Sequence, residues 1–255
     1  MENITPQDMQ EMQMDDYSYY AATLLPSLLM WTDQSSLSPE EQVLYDLLEE
    51  WNYHMDAEEL TPSIFRQWAS NFYGAVLYDE YETTEASLRY PSRDIFVERV
   101  KTDPDFSFID DLTTEGVETR EDLALATLKE TYSELTTAWG ALGDQWKWGV
   151  AINNDIDHLA NIPGLGAENL FSSGSSDAVN ATRGGNGPSW RMVVELGPEV
   201  KGWGVYPGGA SGNPGSPNYD SMIETWRTGG LFELDFFKEE PSDFNYKLSL
   251  KSADS

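Results

Sequence analysis

A serine nucleophile is the first chemistry that the residue types of this chain suggest. Residues 187–191, Gly-Pro-Ser-Trp-Arg, approach the Gly-x-Ser-x-Gly turn that exposes the nucleophile of many hydrolases, but arginine stands where the last glycine is needed. A Ser-His-Asp triad also requires a histidine base, and the chain has only two histidines, His54 and His158. We therefore interpret Ser189 as a turn or strand-start residue whose hydroxyl bonds nearby backbone.

Carboxylates and histidines give a less specific signal. The chain holds 45 Asp and Glu residues, so any two could be nominated as the acid and base of a glycoside hydrolase. Asp155 and Asp157 beside His158 suggest a metal or acid–base cluster, but without a second histidine a polar loop is the simpler interpretation. The two histidines are not spaced as a metal-ligating pair. The absence of cysteine excludes disulfides, thiol nucleophiles and thiolate metal sites.

The charge of the chain limits its partners. A formal net charge of −30, with only 15 Lys and Arg, disfavours nucleic acid and anionic membrane surfaces as partners, because too few cations are present to neutralise phosphates. The acidity predicts a solvated surface, or adaptation to high salt, where screening reduces self-repulsion. No EF-hand-type calcium loop is found. The apolar run over residues 24–31 is too short to span a bilayer and follows an acidic segment, so we expect no signal peptide.

The first part of the chain, residues 1–140, predicts a mainly helical layer. Thr5, Ser38, Thr61 and Thr119 each precede a proline or acidic residues at helix-start spacing, which is typical of N-caps and capping boxes. Residues 93–101 predict a further short helix. Apolar residues at helical spacing behind these starts predict core packing. They are Val43, Leu44, Leu47, Leu48 and Trp51; Ile64, Phe65, Trp68, Phe72, Ala75 and Val76; and Leu125, Leu128, Tyr132, Leu135 and Trp139.

The second part, residues 141–255, predicts strands and tight turns of the same domain. Segments rich in Val, Trp, Phe and Tyr favour short strands, and residues 220–227 predict a short helix ended by two glycines. So few strands would form a small sheet with exposed edges. The predicted strands cover residues 178–181, 190–196, 202–206 and 231–237.

A dense run of glycine and proline over residues 206–219 carries the most information. Elements bound it on both sides, so it predicts ordered backbone with positive φ angles and close approach, rather than a linker. Its glycines, Gly209 and Gly212 in particular, are expected to be intolerant of valine. Together with residues 187–191 it is expected to hold the last strands in register, while Arg191 and Arg227 form ion pairs in that packing.

Several motifs, in order, resemble the C-terminal end of the penicillin amidase family, which comprises penicillin and acyl-homoserine-lactone acylases. Two upstream stretches, residues 15–26 and 48–68, resemble helical segments of the same family. Ala210, Asn218 and Asn52 depart from the glutamine, histidine and aspartate that many members have there, which leaves the substrate subgroup open. The motifs are residues 146–149 (WKWG), 176–180 (SDAVN), 187–192 (GPSWRM), 208–214 (GGASGNP), 216–219 (SPNY) and Trp226.

The resemblance implies an α+β fold, as a partial N-terminal-nucleophile hydrolase αββα fold, in which residues 1–255 form a single incomplete domain. It implies an amidohydrolase that cleaves the amide bond of an N-acylated small molecule. Members of the family use the N-terminal serine of their larger subunit, with its own amine as base and an asparagine in the oxyanion hole. Those segments precede the part that matches this chain, so no catalytic, cofactor-binding or metal position is assigned to any residue here.

The resemblance also implies partners: a smaller subunit, the N-terminal half of the larger subunit, and a small-molecule amide in the complete enzyme. It implies no cofactor; members often bind a structural calcium, for which this sequence offers no assignable ligand. A periplasmic or extracellular location follows from the relatives. The other interpretation is a short non-catalytic protein that binds a partner or ligand with the same scaffold. A sugar-binding sandwich, suggested by nine tryptophans, is disfavoured because the long series of strands is absent.

Overall fold

A computed structural model describes residues 3–82, 88–239, 248 and 250 of the chain. Helices dominate the first part, and five short strands lie in the second part, as the α+β prediction requires. The helices are α1 (Pro6–Met12), α2 (Tyr19–Trp31), α3 (Pro39–Glu50), α4 (Thr61–Glu82), α5 (Arg93–Thr102), α6 (Arg120–Trp139), α7 (Trp148–Ala151) and α8 (Ile223–Arg227). The strands are β1 (Asn154–Ile156), β2 (Ala167–Leu170), β3 (Arg191–Glu195), β4 (Lys201–Val205) and β5 (Phe232–Leu234).

The predicted helix starts are confirmed. Thr5, Ser38 and Thr119 each accept a hydrogen bond from the backbone of the third helical residue, whose carboxylate bonds back to the cap. These reciprocal bonds satisfy amides that the first helical turn would otherwise leave unpaired. Thr61 begins α4, as its position before proline predicts.

The helices enclose one apolar core that is centred on α4 and α6. Trp68 is fully buried, and its indole N–H donates to the carbonyl of Ala124 and to the hydroxyl of Thr127, both on α6. Phe72 and Leu128 are likewise buried beside it. Most predicted core positions are confirmed, but Val43 is 45% exposed. Helical spacing alone does not fix how wide the buried stripe is.

The strands form two small antiparallel sheets. β1 pairs with β2, and β3, β4 and β5 form a second sheet in that order, with Val193 opposite Trp203. The strands predicted over residues 190–196 and 202–206 are confirmed, and the one over 231–237 is shorter than predicted. The first sheet was not predicted, because its strands are short and polar.

The strand predicted over residues 178–181 is wrong. The segment bends back on itself, with the amide of Ser175 donating to the carbonyl of Asn180 at 3.0 Å. The amide of Asn180 in turn donates to the carbonyl of Asp15, 2.8 Å away, in the helical part. These tertiary bonds replace the ladder bonds of a strand.

Within the described residues, no helix is both long enough and apolar enough to cross a membrane.

Candidate functional site

Three of the sequence motifs meet around the side chain of Arg191, and we call this place the motif junction. Arg191 is 4% exposed at the start of β3. Its guanidinium donates to the carbonyl of Trp226, to Oδ1 of Asn180 at 3.1 Å and to Oγ1 of Thr182 at 3.4 Å. The same guanidinium lies 5.1 Å from the ring of Trp226. The motif junction thus joins β3, α8 and the bend that precedes Asn186.

Arg191 has an unusual electrostatic environment. All of its acceptors are neutral, so the ion pair predicted for it is wrong, whereas Arg227 does pair with Glu224 at 2.6 Å. Burial away from water lowers the pKa of Arg191 to about 10. Its Nε has no hydrogen-bond partner in the described part of the chain. The geometry therefore holds three segments together, and burial keeps the guanidinium away from solvent.

The glycines flanking the motif junction serve close packing. A Cβ on Gly187 would lie 2.7 Å from the ring of Trp226, whose indole N–H donates to the carbonyl of Pro188. Gly149 is equally confined, because a Cβ there would lie 2.6 Å from the ring of Phe171. These glycines therefore allow aromatic rings to pack on the backbone, as close approach requires.

The glycine- and proline-rich stretch, residues 206–219, folds into ordered turns. The amide of Ser211 donates to the carbonyl of Asn218 at 3.1 Å, and the hydroxyls of Ser211 and Ser216 each accept an amide two residues later. A Cβ on Gly209 would lie 2.5 Å from the carbonyl oxygen of Tyr219 and nearer still to that of Asn218. Close approach is thus confirmed at Gly209.

Two expectations for this stretch are wrong. None of its glycines has a positive φ; the left-handed glycine nearest to the GPSWR motif is Gly185, with φ of 66°. A Cβ on Gly212 meets nothing within 4 Å. The turns are built by Asn and Ser side chains that accept hydrogen bonds from backbone amides, so left-handed glycines are not required.

The serine and histidine candidates for hydrolysis do not come together. Ser189 is exposed, and its hydroxyl makes no hydrogen bond in the described part of the chain, contrary to the expectation that it bonds backbone. His54 bonds Asp16 through Nδ1 at 2.7 Å, and His158 accepts the amide of Ala160. A triad is therefore not assembled among the described residues. His158 bonds a local amide, as a polar loop predicts, but Asp155 lies on β1 and accepts the amide of Asn169 on β2, so the loop interpretation is wrong for Asp155.

One grouping has the proximity of a metal site. Ligand atoms of Asp15, Asp16 and His54 lie within 4.8 Å of one another. Calcium takes six or more oxygen ligands, whereas this grouping offers two carboxylates and an imidazole, one carboxylate being bonded to that imidazole. The grouping does not fit a calcium site, and no role is derived from it.

Comparison with known proteins places these motifs in a family. The sequence model described as penicillin amidase matches residues 1–242. No curated protein matches the chain. Among solved structures, a thermostable penicillin G acylase from Alcaligenes faecalis superposes with a TM-score of 0.58 at 13% sequence identity, over 96% of this chain and 50% of that one.

This chain belongs to the penicillin amidase family, and its fold is the α+β fold of penicillin acylases. It spans about half the length of the acylase chain that it matches. Sequence motifs had indicated Asn180, Arg191 and Trp226, but neither Thr182 nor the hydrogen bonds that Asn180 and Thr182 accept from Arg191. Asn180 was visible in the SDAVN motif and was assigned to a strand, so its side-chain role was missed.

Proposed function

We propose that this chain is the C-terminal portion of a penicillin-amidase-like amidohydrolase, an acylase of N-acylated small molecules, and that it supplies scaffold rather than the nucleophile. The observation that carries this proposal is the family match over residues 1–242 in a chain that spans half of a penicillin G acylase. The motif junction supports this proposal. Its buried cation, Arg191 on β3, donates hydrogen bonds to neutral oxygens of Trp226 on α8 and of Asn180, and these bonds hold the segments together. No catalytic residue is assigned to this chain.

One face of the β3–β4–β5 sheet is apolar and exposed, which supports the proposal that another layer of the enzyme packs on it. Met192 and Val194 alternate along β3 on one face, and they are 48% and 43% exposed. Phe232, on β5 across the same face, is 41% exposed, and the residues between them on β4 are Gly202 and Gly204. Such a face is normally packed against another layer. We infer that the nucleophile-bearing part of the enzyme covers it.

In the complete enzyme, we infer, a serine at the N-terminus of the larger subunit attacks the amide and its own amine takes the proton. The amide C–N bond breaks as the acyl group moves to the serine, and the leaving amine takes that proton. Water then hydrolyses the acyl-serine ester, which releases the acid and restores the serine. The role of this chain is to keep the sheets that carry those groups rigid. The smaller subunit and the N-terminal half of the larger subunit are the proposed partners, and the location is periplasmic or extracellular.

The second candidate is a non-catalytic protein that binds a partner with the same scaffold. The exposed apolar face favours it equally, because such a face serves any protein partner. The two candidates differ in what is encoded upstream of Met1: an in-frame serine cleavage junction supports the acylase, and a promoter and start site support the binding protein.

The decisive experiment measures hydrolysis of a chromogenic phenylacetyl amide and a long-chain acyl amide. The chain alone is expected to show no turnover, and co-expression with the segment encoded upstream is expected to restore it. Turnover by the chain alone would overturn the scaffold role.

A matched pair of variants tests the apolar face. Val194→Lys places a charge on the face, while Val43→Lys changes a valine of similar exposure, 45%, on α3. Val194→Lys is expected to abolish co-purification with the upstream segment and Val43→Lys to leave it intact. Equal behaviour of the two variants would contradict the docking of that segment on β3.

A further inference from the structure

Two adjoining cavities, of about 480 and 420 Å³, open on one side of α4. Both are lined by Arg66, Ser70 and Trp148, so we treat them as one cleft and call it the arginine groove. Cavities of this size are typical of small-molecule sites. Because Ser63, Arg66 and Ser70 recur at helical spacing, α4 presents all three on the same side.

Arg66 and Arg183 bring positive charge into this groove from different parts of the chain. Arg66 lies on α4, with its guanidinium 5.5 Å from the ring centroid of Trp148. Arg183 lies on a loop whose backbone is fixed by two 2.8 Å hydrogen bonds with Asn186. Partial desolvation, and then the neighbouring charges of Arg93 and Arg183, lower the pKa of Arg66.

Neither Arg66 nor Arg183 has a carboxylate partner among the described residues. Arg89, Arg120 and Arg191 also lack one there, but they do not line this groove. Arg93, at the other end of the groove, does have such a partner, because it holds Asp177 through both carboxylate oxygens at 2.7 and 2.5 Å. The sequence thus leaves two neighbouring guanidinium groups without an internal anion.

A buried hydroxyl in the same groove also lacks a partner. Ser63 is 3% exposed and lines the cavity that contains Arg66 and Arg183, and its Oγ has no hydrogen bond in the described part of the chain. A buried hydroxyl is normally satisfied by protein or by a bound group. It is an observation independent of the arginines, and it lies on the same wall.

We propose that the arginine groove is a binding site for a small organic acid, whose carboxylate is held by Arg66 and Arg183 and whose aromatic or acyl body lies against Trp139, a half-buried tryptophan that lines the same cavity. A guanidinium matches a carboxylate with two parallel hydrogen bonds, and an indole face offers apolar contact at little entropic cost. The hydroxyl of Ser63 supplies a further donor on the wall of the cavity. This proposal does not depend on the proposed acylase function.

Calorimetric titration of the full chain with benzoate tests the proposal, with benzamide as the uncharged analogue of the same shape. Benzoate is expected to bind saturably, and benzamide at least about tenfold more weakly, because it lacks the charge-assisted bonds. Arg66→Gln and Arg183→Gln are each expected to weaken benzoate at least about tenfold. Equal binding of benzoate and benzamide would overturn the proposal.

Arg99→Gln is the matched control, because Arg99 also lies over an aromatic ring, that of Phe106, at 5.3 Å and outside the groove. It is expected to bind benzoate like the unmodified chain. Circular dichroism of each variant checks that it is folded. Folded Arg66→Gln and Arg183→Gln variants that retain the affinity of Arg99→Gln would refute the site, as would the absence of any benzoate binding.

Discussion

The helical part and the strand-and-turn part of this chain are held together by different means. In the helical part, large apolar side chains such as Trp68 and Phe72 are buried on one another. The strand-and-turn part contains a buried polar cluster, Arg191 with Asn180 and Thr182, in which Arg191 also bonds a backbone carbonyl. The helical part resembles a closed core, whereas the β3–β4–β5 sheet leaves an apolar face in solvent.

The difference shows how each part tolerates change. An apolar core is non-directional and adapts partly when a side chain is altered. A buried polar cluster depends on geometry, because each unpaired group carries a desolvation penalty. The helical part is therefore expected to be destabilised most by substitutions that remove side-chain volume. The strand-and-turn part is expected to be destabilised most by substitutions that remove hydrogen bonds or prevent close approach of the backbone.

The largest effect is expected for Trp68→Ala in the helical core. The substitution leaves a cavity between α4 and α6 and removes the indole bonds to Ala124 and Thr127, so the free energy of unfolding is expected to fall by about 3–5 kcal/mol. Urea denaturation measures this change. The variant Val43→Ala, at an exposed position of α3, should lose far less. Comparable losses would contradict a core centred on α4 and α6.

A somewhat smaller effect is expected for Arg191→Leu at the motif junction. Leucine fills part of the volume but removes the charge-assisted bonds to Asn180 and to the carbonyl of Trp226, which keep only the bonds donated by Thr182 and Gly229, at a total cost of about 1.5–3 kcal/mol. Arg99→Leu removes an exposed arginine paired with Asp103 and should cost less than about 1 kcal/mol. If both arginines proved equally dispensable in thermal melts, the polar cluster would not hold this part together.

Gly209→Ala tests close approach in the turns. The added Cβ collides with the backbone carbonyls of Asn218 and Tyr219, and such overpacking is expected to cost about 1–3 kcal/mol. Gly212→Ala is the control, since its Cβ meets nothing within 4 Å. The pair should differ clearly in denaturant midpoint, and a shared midpoint would mean that the turn at Gly209 relaxes freely.

The smallest effect is expected for Thr119→Ala at the start of α6. Loss of the capping bond should cost about 1 kcal/mol at neutral pH, whereas Thr137→Ala, exposed within the same helix, should be nearly neutral. Bonds from the hydroxyl and the amide of Thr119 lower the pKa of Asp122. The contribution of this carboxylate to stability is therefore complete above the ordinary carboxyl pKa of about 4 and is lost as the pH falls below it.

The deficit of Thr119→Ala relative to the unmodified chain should accordingly shrink as the pH is lowered from about 5 to 2. Chemical denaturation at a series of pH values measures it. A deficit that stays constant over this range would show that the carboxylate of Asp122 takes no part in the cap.

Local signals explain what could be predicted. A cap such as that of Thr119 and the apolar spacing around Trp68 act within a few residues, so the helices and most of their core were predictable. The strand predicted at residues 178–181 failed because its amides bond elsewhere, one of them to Asp15 far away in the sequence. The arginine groove was not predicted, because Arg66 and Arg183 are separated by more than a hundred residues in the sequence.

The sequence alone determined the family, through ordered motifs, and the location of the helices, through caps and apolar spacing. Only the tertiary structure decided which glycines are closely approached by other groups, which arginine is buried and which arginines lack a carboxylate partner among the described residues. The physical reason is the separation along the chain over which each kind of interaction acts. Capping and helical periodicity operate between near neighbours along the chain, while close approach, burial and charge pairing depend on segments that only folding brings together.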